Sequence, residues 1–230
     1  MAPRITHCIF DMDGLLIDTE RVYTDAANEI LSKHQPGTRL TWELKAKLMG
    51  RTARESARVF LESTKINMPL EEFLEELLAI QRRLMHSVDL LPGVERLIHH
   101  LHNHNIPIAV ATSSTRTKLA IKTQAHGDLF SLFDSVTCAD DEGITQGKPA
   151  PDIFLIARSK LGDPALEDCL IFEDATVGIE AARRAGIPAI WIPDPNLLSL
   201  PRDEDFIEPL ETLKSMVDFE PSKYGLPAYD

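Results

Sequence analysis

The chain has 230 residues, of which 43% are hydrophobic and 26% are charged, and its formal net charge at pH 7 is -12. This composition is that of an ordinary globular protein with room for one domain and a sizeable insertion. The acidic charge argues against a broad basic surface for nucleic acid, and the apolar stretches are shorter than the roughly 20 residues that span a bilayer. We therefore expect a cytoplasmic, monomeric protein with no nucleic-acid or membrane partner.

Short apolar runs that end in polar residues recur along the chain and predict the strands of a parallel sheet. The first run, 5–10, ends in Asp11-Met12-Asp13-Gly14. Three later runs end in the same way: 106–111 before Thr112-Ser113-Ser114, 169–172 before Glu173-Asp174, and 187–192 before Pro193-Asp194. Because open α/β sheets bind ligands at the carboxyl ends of their strands, these polar residues are expected to meet at one place.

Helical patterns separate these strands and also fill one long segment. The patterns at 94–101, 153–161 and 177–185 alternate with strands and predict a doubly wound α/β core with a mostly parallel sheet, formed by residues 1–17 and 88–230. Residues 18–87, in contrast, show helical periodicity throughout and no convincing strand. This segment is predicted to be an inserted α-helical cap that is entered and left through two nearby hinges.

Asp11 and Asp13 are the candidate catalytic residues for phosphoryl transfer. A carboxylate can accept a phosphoryl group as an aspartyl-phosphate, which splits one difficult hydrolysis into two easier steps, and we assign Asp11 to this role. Asp13 lies two residues further on, on the same side of an extended segment. It can protonate the leaving oxygen and then activate water, and for the first task its pKa has to be raised.

Four carboxylates are expected to crowd together in this region: those of Asp11, Asp13, Glu173 and Asp174. Such crowding is costly unless a hard divalent cation with oxygen ligands lies among them, and Mg²⁺ fits best. Since Mg²⁺ takes few carboxylates and keeps several waters, we expect Asp11 and Asp174 to bind it through their side chains and Asp13 through its carbonyl oxygen. Glu173 is expected to act on the metal through water.

Two other loops are expected to hold the phosphate group. Thr112 offers a hydroxyl group, and Ser113 and the residues after it offer backbone amides where a helix begins. Lys148 would place a cation against the phosphate and the nucleophile, in a loop that two prolines stiffen. An isolated Asp-x-Asp-Gly can be a turn and an isolated lysine is usually a surface charge, so the interpretation depends on the order and spacing of all these motifs.

In chain order, the motifs resemble the signatures of the haloacid dehalogenase superfamily of phosphatases. The resemblance covers the whole chain and rests on Phe-Asp-Met-Asp-Gly at 10–14, Thr-Ser-Ser at 112–114, Gly-Lys-Pro-Ala-Pro-Asp at 147–152 and Phe-Glu-Asp at 172–174. It implies a Mg²⁺-dependent phosphatase with a Rossmann-like core that acts on a small phosphorylated metabolite. It also implies that the helical insertion is the mobile cap that closes over the site and contacts the substrate.

Within the superfamily, the chain is similar to the pseudouridine-5'-phosphatase subgroup at 11–20, 169–175 and 177–182, and in the tail at 218–221 and 224–227. Pseudouridine 5'-phosphate is therefore the first candidate substrate. Glycerol phosphate, sugar phosphates and riboflavin-pathway phosphates remain alternatives because the same resemblance extends to enzymes that act on them. Gly50 and Arg51 stand where related caps face the substrate, so Arg51 is expected to contact the leaving group; the alternative is a solvated loop arginine.

Other functions are less consistent with the sequence. A sugar phosphomutase of the same family would carry a histidine near the start of the cap, and Tyr23 stands at that position. A receiver-type phosphoacceptor also combines an acidic cluster, a hydroxyl group, a lysine and magnesium, but Asp13 and the helical insertion favour turnover. The histidine-rich stretch 99–104 is interpreted as an exposed helix end rather than a metal site.

Overall fold

The computed structural model describes residues 4–48, 53–85, 88–199 and 208–229. Within these ranges the strands form one sheet of six, ordered β3-β2-β1-β4-β5-β6, and all the pairings are parallel. The strands are β1 (His7–Phe10), β2 (Ile108–Thr112), β3 (Ser135–Cys138), β4 (Cys169–Glu173), β5 (Ala189–Trp191) and β6 (Glu211–Thr212). This order is that of a doubly wound sheet, so the predicted fold class is confirmed.

Helices connect and cover the strands. They are α1 (Thr19–His34), α2 (Trp42–Leu48), α3 (Ala53–Thr64), α4 (Leu70–Leu84), α5 (Val94–Asn103), α6 (Arg116–Lys122), α7 (Gly127–Phe130), α8 (Asp152–Lys160) and α9 (Thr176–Ala185). None of the helices in the described residues is both long and apolar enough to cross a membrane.

The central strands are apolar except at their ends because both faces of the sheet are covered. Cys8 and Phe10 of β1 point into a core formed with α5 and the C-terminal segment, whereas Ile9 points into a second core formed with α8 and α9. The rings of Phe10 and Phe172 stack in the first core with their centroids 4.5 Å apart. Parallel strands buried in this way do not alternate polar and apolar residues. Their continuous apolar runs therefore predicted their positions in the sequence.

Each of the four strands predicted from the sequence is present. β1 and β5 are shorter than their apolar runs, β2 begins later and ends one residue beyond its run, and β4 extends one residue beyond its run. Two strands at the edges of the sheet were not predicted. β3 is short and half of its residues are Ser or Thr, and β6 has only two residues. These segments become strands through pairing with β2 and β5, so they lack a local signal strong enough to identify them.

The segment between β1 and α5 consists of the helices α1 to α4, which share an apolar core of their own. Phe60 and Phe73 lie at its centre with ring centroids 5.0 Å apart. The two chain connections to the sheet run side by side: the amide of Asp18 donates to the carbonyl of Asp89 at 2.9 Å, and Ile17 forms an antiparallel bridge with Leu90. The predicted division at residues 18 and 87 stays a prediction; residue 87 itself lies outside the described ranges.

The histidine-rich stretch differs from the prediction of an exposed helix end. His100 is 8% exposed, its Nε2 lies 2.9 Å from the carbonyl oxygen of Pro227, and its ring packs on Tyr229 with centroids 4.7 Å apart. The prediction is therefore wrong for His100, because the C-terminal segment returns across α5 and covers it. His99, His102 and His104 are exposed.

Candidate active site

The polar motifs meet at the carboxyl ends of β1, β2 and β4. β1 lies between the other two, so Asp11 at its end has Thr112 on one side and Glu173 on the other. The chain first winds from β1 toward β3 and then returns to β4, which makes this the switch point where doubly wound sheets bind ligands. A cavity of about 760 Å³ opens here and extends from the carboxylates into the helical segment.

Lys148 ties the candidate nucleophile to the carboxylate at the end of β4. Its Nζ forms an ion pair with Asp11, lies 2.5 Å from Oε1 of Glu173 and lies 3.4 Å from the carbonyl oxygen of Ala111. Asp11 is 6% exposed and Glu173 is 1% exposed. Burial raises the pKa of Asp11 to about 7, although the Lys148 ammonium acts in the opposite direction. The lysine therefore favours the ionised, nucleophilic form of Asp11.

Asp174 is a further buried carboxylate in the same cluster. Burial, reinforced by the nearby charges of Glu173 and Asp11, raises its pKa well above the usual value. The loop of Gly14 lies directly against it: a Cβ atom at Gly14, whose φ is +83°, would be 3.1 Å from Cγ of Asp174 and 3.3 Å from Cγ of Glu20. A side chain at position 14 would fill the space beside both carboxyl groups.

This donor set fits a hard divalent cation. The single positive charge of Lys148 does not balance the carboxylates of Asp11, Glu173 and Asp174, and each candidate ligand atom is an oxygen. Such a set is the kind that Mg²⁺ prefers. Additional positive charge among these groups would remove the main cost of burying them together.

Glu173 is held in place by the start of α9. Its Oε2 accepts a hydrogen bond of 3.0 Å from the amide of Ala175 while Oε1 contacts Lys148. The carboxyl group also lies directly against Gly178, where any Cβ atom would come closer than 3.0 Å to it. A glycine inside a helix is normally unfavourable, so the close approach of Glu173 explains its presence here.

Asp13 has a second lysine, Lys122, as its partner. The ammonium group of Lys122 forms an ion pair with Oδ1 of Asp13, and the hydroxyl of Ser114 donates to Oδ2 at 3.0 Å. Burial alone would raise the pKa of Asp13, but the charge and hydrogen bond of Lys122 outweigh burial and hold the pKa below its usual value. The expectation of a raised pKa for Asp13 is therefore wrong in this arrangement, because the sequence did not reveal Lys122 as its neighbour.

Two of the three residues predicted to bind phosphate, Thr112 and Ser113, lie at the end of β2 and at the start of the loop that leads to α6. Thr112 is fully buried, and its hydroxyl accepts a 3.0 Å hydrogen bond from the amide of Ser114 and lies 3.4 Å from Asp13. Ser113 is exposed and lines the cavity. α6 begins after Thr115, whose side chain caps it. Phosphate binding by this loop stays a prediction.

Sequence reasoning missed the roles of Lys122, Ser114 and Glu20 at this site. Lys122 and Ser114 contact Asp13, and Glu20 lines the cavity beside Asp174. A lysine at the end of a short helix is normally a solvated surface charge, so the sequence around Lys122 did not predict its contact with Asp13. Gly50 and Arg51 lie outside the described residues, and their predicted contact with the leaving group stays a prediction.

Another group of potential metal ligands, at the end of β3, contains a carboxylate that is already satisfied by ion pairs. It consists of Cys138, Asp140 and Asp141. Asp141 binds Arg116 and Lys160, each at 2.7 Å. Burial opposes ionisation of Asp141, but these cations and the amide of Cys138 lower its pKa to about 2. These contacts give the group a structural role in joining α6 and α8 to β3.

A doubly wound sheet with buried carboxylates and a lysine at its switch point defines the protein as an enzyme of the α/β class. The chain belongs to the haloacid dehalogenase-like hydrolases, whose family model matches residues 8–192. The predicted superfamily is thus confirmed.

Individual relatives agree with this assignment. The "Probable pseudouridine-5'-phosphatase" of Drosophila melanogaster is 41% identical over 228 residues, which cover 98% of this chain and 96% of the relative. The "(DL)-glycerol-3-phosphatase 2" of Arabidopsis thaliana is 44% identical over 231 residues, which cover 98% of this chain and 93% of the relative. At the level of the enzyme class, the prediction of a phosphatase is confirmed.

Solved structures share the fold. A HAD family hydrolase from Deinococcus radiodurans, solved with bound phosphate and sodium, superposes with a TM-score of 0.80 over all of both chains at 22% identity. This likeness supports the architecture of sheet and inserted helices.

Proposed function

We propose that the protein is a Mg²⁺-dependent phosphatase that acts through an aspartyl-phosphate on Asp11, and that its substrate is pseudouridine 5'-phosphate. The observation that carries the proposal is the position of Asp11, buried at the end of the central strand with its carboxylate against Lys148. A buried carboxylate beside a fixed cation can attack a phosphoryl group whose negative charge the cation offsets.

In the first step, Asp11 attacks phosphorus, and the bond between phosphorus and the leaving oxygen breaks. Asp13 gives that oxygen a proton, which it has to take up as the substrate binds, because in the present arrangement its pKa lies below the usual value. In the second step, Asp13 takes a proton from the water that attacks the aspartyl-phosphate, so phosphate leaves and both residues return to their initial state. Lys148 stabilises charge on Asp11 and on the transferred group, and Glu173 orients Lys148. Asp11, Asp174 and the carbonyl of Asp13 would hold Mg²⁺, which would supply further charge neutralisation when bound.

The cavity beyond the carboxylates supports a leaving group larger than glycerol. Its polar part contains Tyr23 and an ion pair in which Nζ of Lys45 lies 3.2 Å from Glu20. Its apolar part is lined by Leu48, Leu74, Leu77 and Leu78. Hydroxyl groups of a ribose fit the first part and a flat base fits the second, because polar groups orient a ligand and apolar walls supply most of its contact area.

Glycerol 3-phosphate is the second candidate substrate. It is favoured by the identity of 44% with the Arabidopsis enzyme named for that activity. Glycerol would use the polar part of the cavity and leave the apolar part unfilled.

Phosphate release from a panel of substrates with and without Mg²⁺ tests the proposal. The panel contains pseudouridine 5'-phosphate, uridine 5'-phosphate, glycerol 3-phosphate, fructose 1-phosphate and flavin mononucleotide. We expect Mg²⁺-dependent turnover and a preference of about tenfold or more in kcat/KM, or about 1.4 kcal/mol, for pseudouridine 5'-phosphate. A preference for glycerol 3-phosphate would replace the substrate assignment, and turnover without a divalent cation would refute the mechanism.

The helical segment is proposed to be a cap that moves over the substrate, and the protein is proposed to be a cytoplasmic monomer. Light scattering after gel filtration measures the oligomeric state. A difference in small-angle scattering with and without a phosphate analogue measures closure of the cap.

A further inference from the structure

Lys122 is a buried charge that the mechanism above does not use. Its side chain is 5% exposed and reaches from the end of α6 into the active site. Its ammonium group has three N–H donors, and among the described residues each has an acceptor: Asp13, Tyr23 at 2.7 Å and Ser114 at 2.8 Å. Burying an ammonium group is costly, so a lysine with all its donors engaged is held in one position.

The same contacts fix the carboxyl group of Asp13 at both oxygens. Lys122 holds Oδ1 and Ser114 holds Oδ2, while Ser114 itself accepts a hydrogen bond from Lys122. The result is a closed ring of three side chains. Tyr23 on α1, in the helical segment, accepts a further hydrogen bond from Lys122. A general acid acts efficiently only when it is aimed at the leaving oxygen, and a small displacement of the acid lowers the reaction rate strongly.

We propose that Lys122 is a positioning residue that fixes the side-chain rotamer of Asp13 for proton transfer, with Tyr23 and Ser114 holding the lysine. This inference deepens the proposed function and rests on it. The engaged donors distinguish this role from direct phosphate binding, since Lys122 would have to release a partner to contact the substrate. Proton flow is unchanged: Asp13 gives its proton to the leaving oxygen and recovers one from the attacking water.

A double-mutant cycle between Lys122 and Asp13 tests the proposal. Lys122→Met is expected to lower kcat by about tenfold or more, within the range that general acid–base catalysis contributes, while KM changes by less than about twofold. In an Asp13→Asn background the same substitution should change kcat by less than about twofold, because there is no proton transfer left to position. Lys122→Arg retains the charge and should restore part of kcat.

The dependence of kcat/KM on the leaving group separates the positioning role from a merely structural one, which would lower kcat/KM equally for all substrates. The value of kcat/KM reports the first half-reaction, and p-nitrophenol leaves without needing a proton. The Lys122→Met defect in kcat/KM should therefore be smaller for p-nitrophenyl phosphate than for the preferred alkyl phosphate. Thermal unfolding without substrate adds a second readout: Lys122→Met should lower Tm, and adding Asp13→Asn should recover part of the loss because the buried carboxylate has gone.

Lys214→Met is the matched control. Lys214 is an exposed lysine between β6 and the C-terminal segment, and it is not among the residues that line the cavity. Its variant should keep the kcat of the wild type. An undiminished effect of Lys122→Met in the Asp13→Asn background, or a rise in KM as its main effect, would overturn the positioning role. If the wild type itself releases no phosphate, the proposed function fails and this inference fails with it.

Discussion

Replacing Gly178 with alanine is expected to destabilise the protein, although alanine is the better helix former. In an unobstructed helix this exchange is favourable by about 1 kcal/mol. At Gly178 the new Cβ atom would lie closer than 3.0 Å to the carboxyl group of Glu173. The carboxyl group cannot swing away freely, because Glu173 is 1% exposed and is bound to Lys148 and to the amide of Ala175.

The expected size of the effect follows from these contacts. Overpacking a core costs about 1–3 kcal/mol, and losing a hydrogen bond to a charged group costs about 1.5–3 kcal/mol. After the helix-propensity gain of about 1 kcal/mol is subtracted, the net destabilisation is about 1.5–5 kcal/mol. For a chain of this length that lowers Tm by roughly 3–20 °C. Displacement of Glu173 also frees Lys148 to move, so kcat should fall by about tenfold or more.

Thermal unfolding and steady-state kinetics measure the two effects in the same preparation. Gly127→Ala is the matched control, since Gly127 begins α7 and a Cβ atom there would meet nothing within 4 Å. That variant should be neutral or slightly stabilised, by less than about 1 kcal/mol. Equal or higher stability of Gly178→Ala, together with an unchanged kcat, would refute the steric argument.

Three further predictions concern the carboxylates. Asp11→Asn should abolish turnover and leave a folded protein, as measured by phosphate release and circular dichroism. Chelation of divalent cations should remove activity and added Mg²⁺ should restore it, and Asp174→Asn should require more Mg²⁺ for half-maximal activity. Asp141→Asn should lose about 2 kcal/mol of stability at pH 7, because the folded-state pKa of Asp141 is lowered to about 2 and each unit is worth about 1.4 kcal/mol. Since a lowered pKa stabilises the folded state above the unfolded value near 4, this difference should shrink as the pH falls through about 2.

Each of these predictions can fail in a specific way. Measurable turnover by Asp11→Asn would remove Asp11 from the nucleophile role. An unchanged Mg²⁺ requirement in Asp174→Asn would remove Asp174 from the metal site. A stability loss in Asp141→Asn that persists undiminished at pH 2 would show that packing, and not charge, makes the contribution of this residue.

The sequence predicted the sheet well at its centre and poorly at its edges. The central strands are buried on both faces, so their apolar runs are visible in the sequence itself. β6 has two residues and is defined by its pairing with β5. Edge segments of this kind have no local pattern because the neighbouring strand, and not their own composition, makes them strands.

The sequence by itself determined the doubly wound core, the family and the carboxylate motifs, since each is written in short stretches of adjacent residues. Only the tertiary structure decided which cations stand beside those carboxylates. Lys122 is separated from Asp13 by 109 residues, and Lys148 is separated from Asp11 by 137. Lys148 lies in the Gly-Lys-Pro motif, from which its role could be predicted. Lys122 lies in no such motif, and only the packing of α6 against the site shows that it is not a surface lysine. Burial depends on which helices the chain brings together, and it is burial that converts an ordinary lysine into the fixed partner of a catalytic acid.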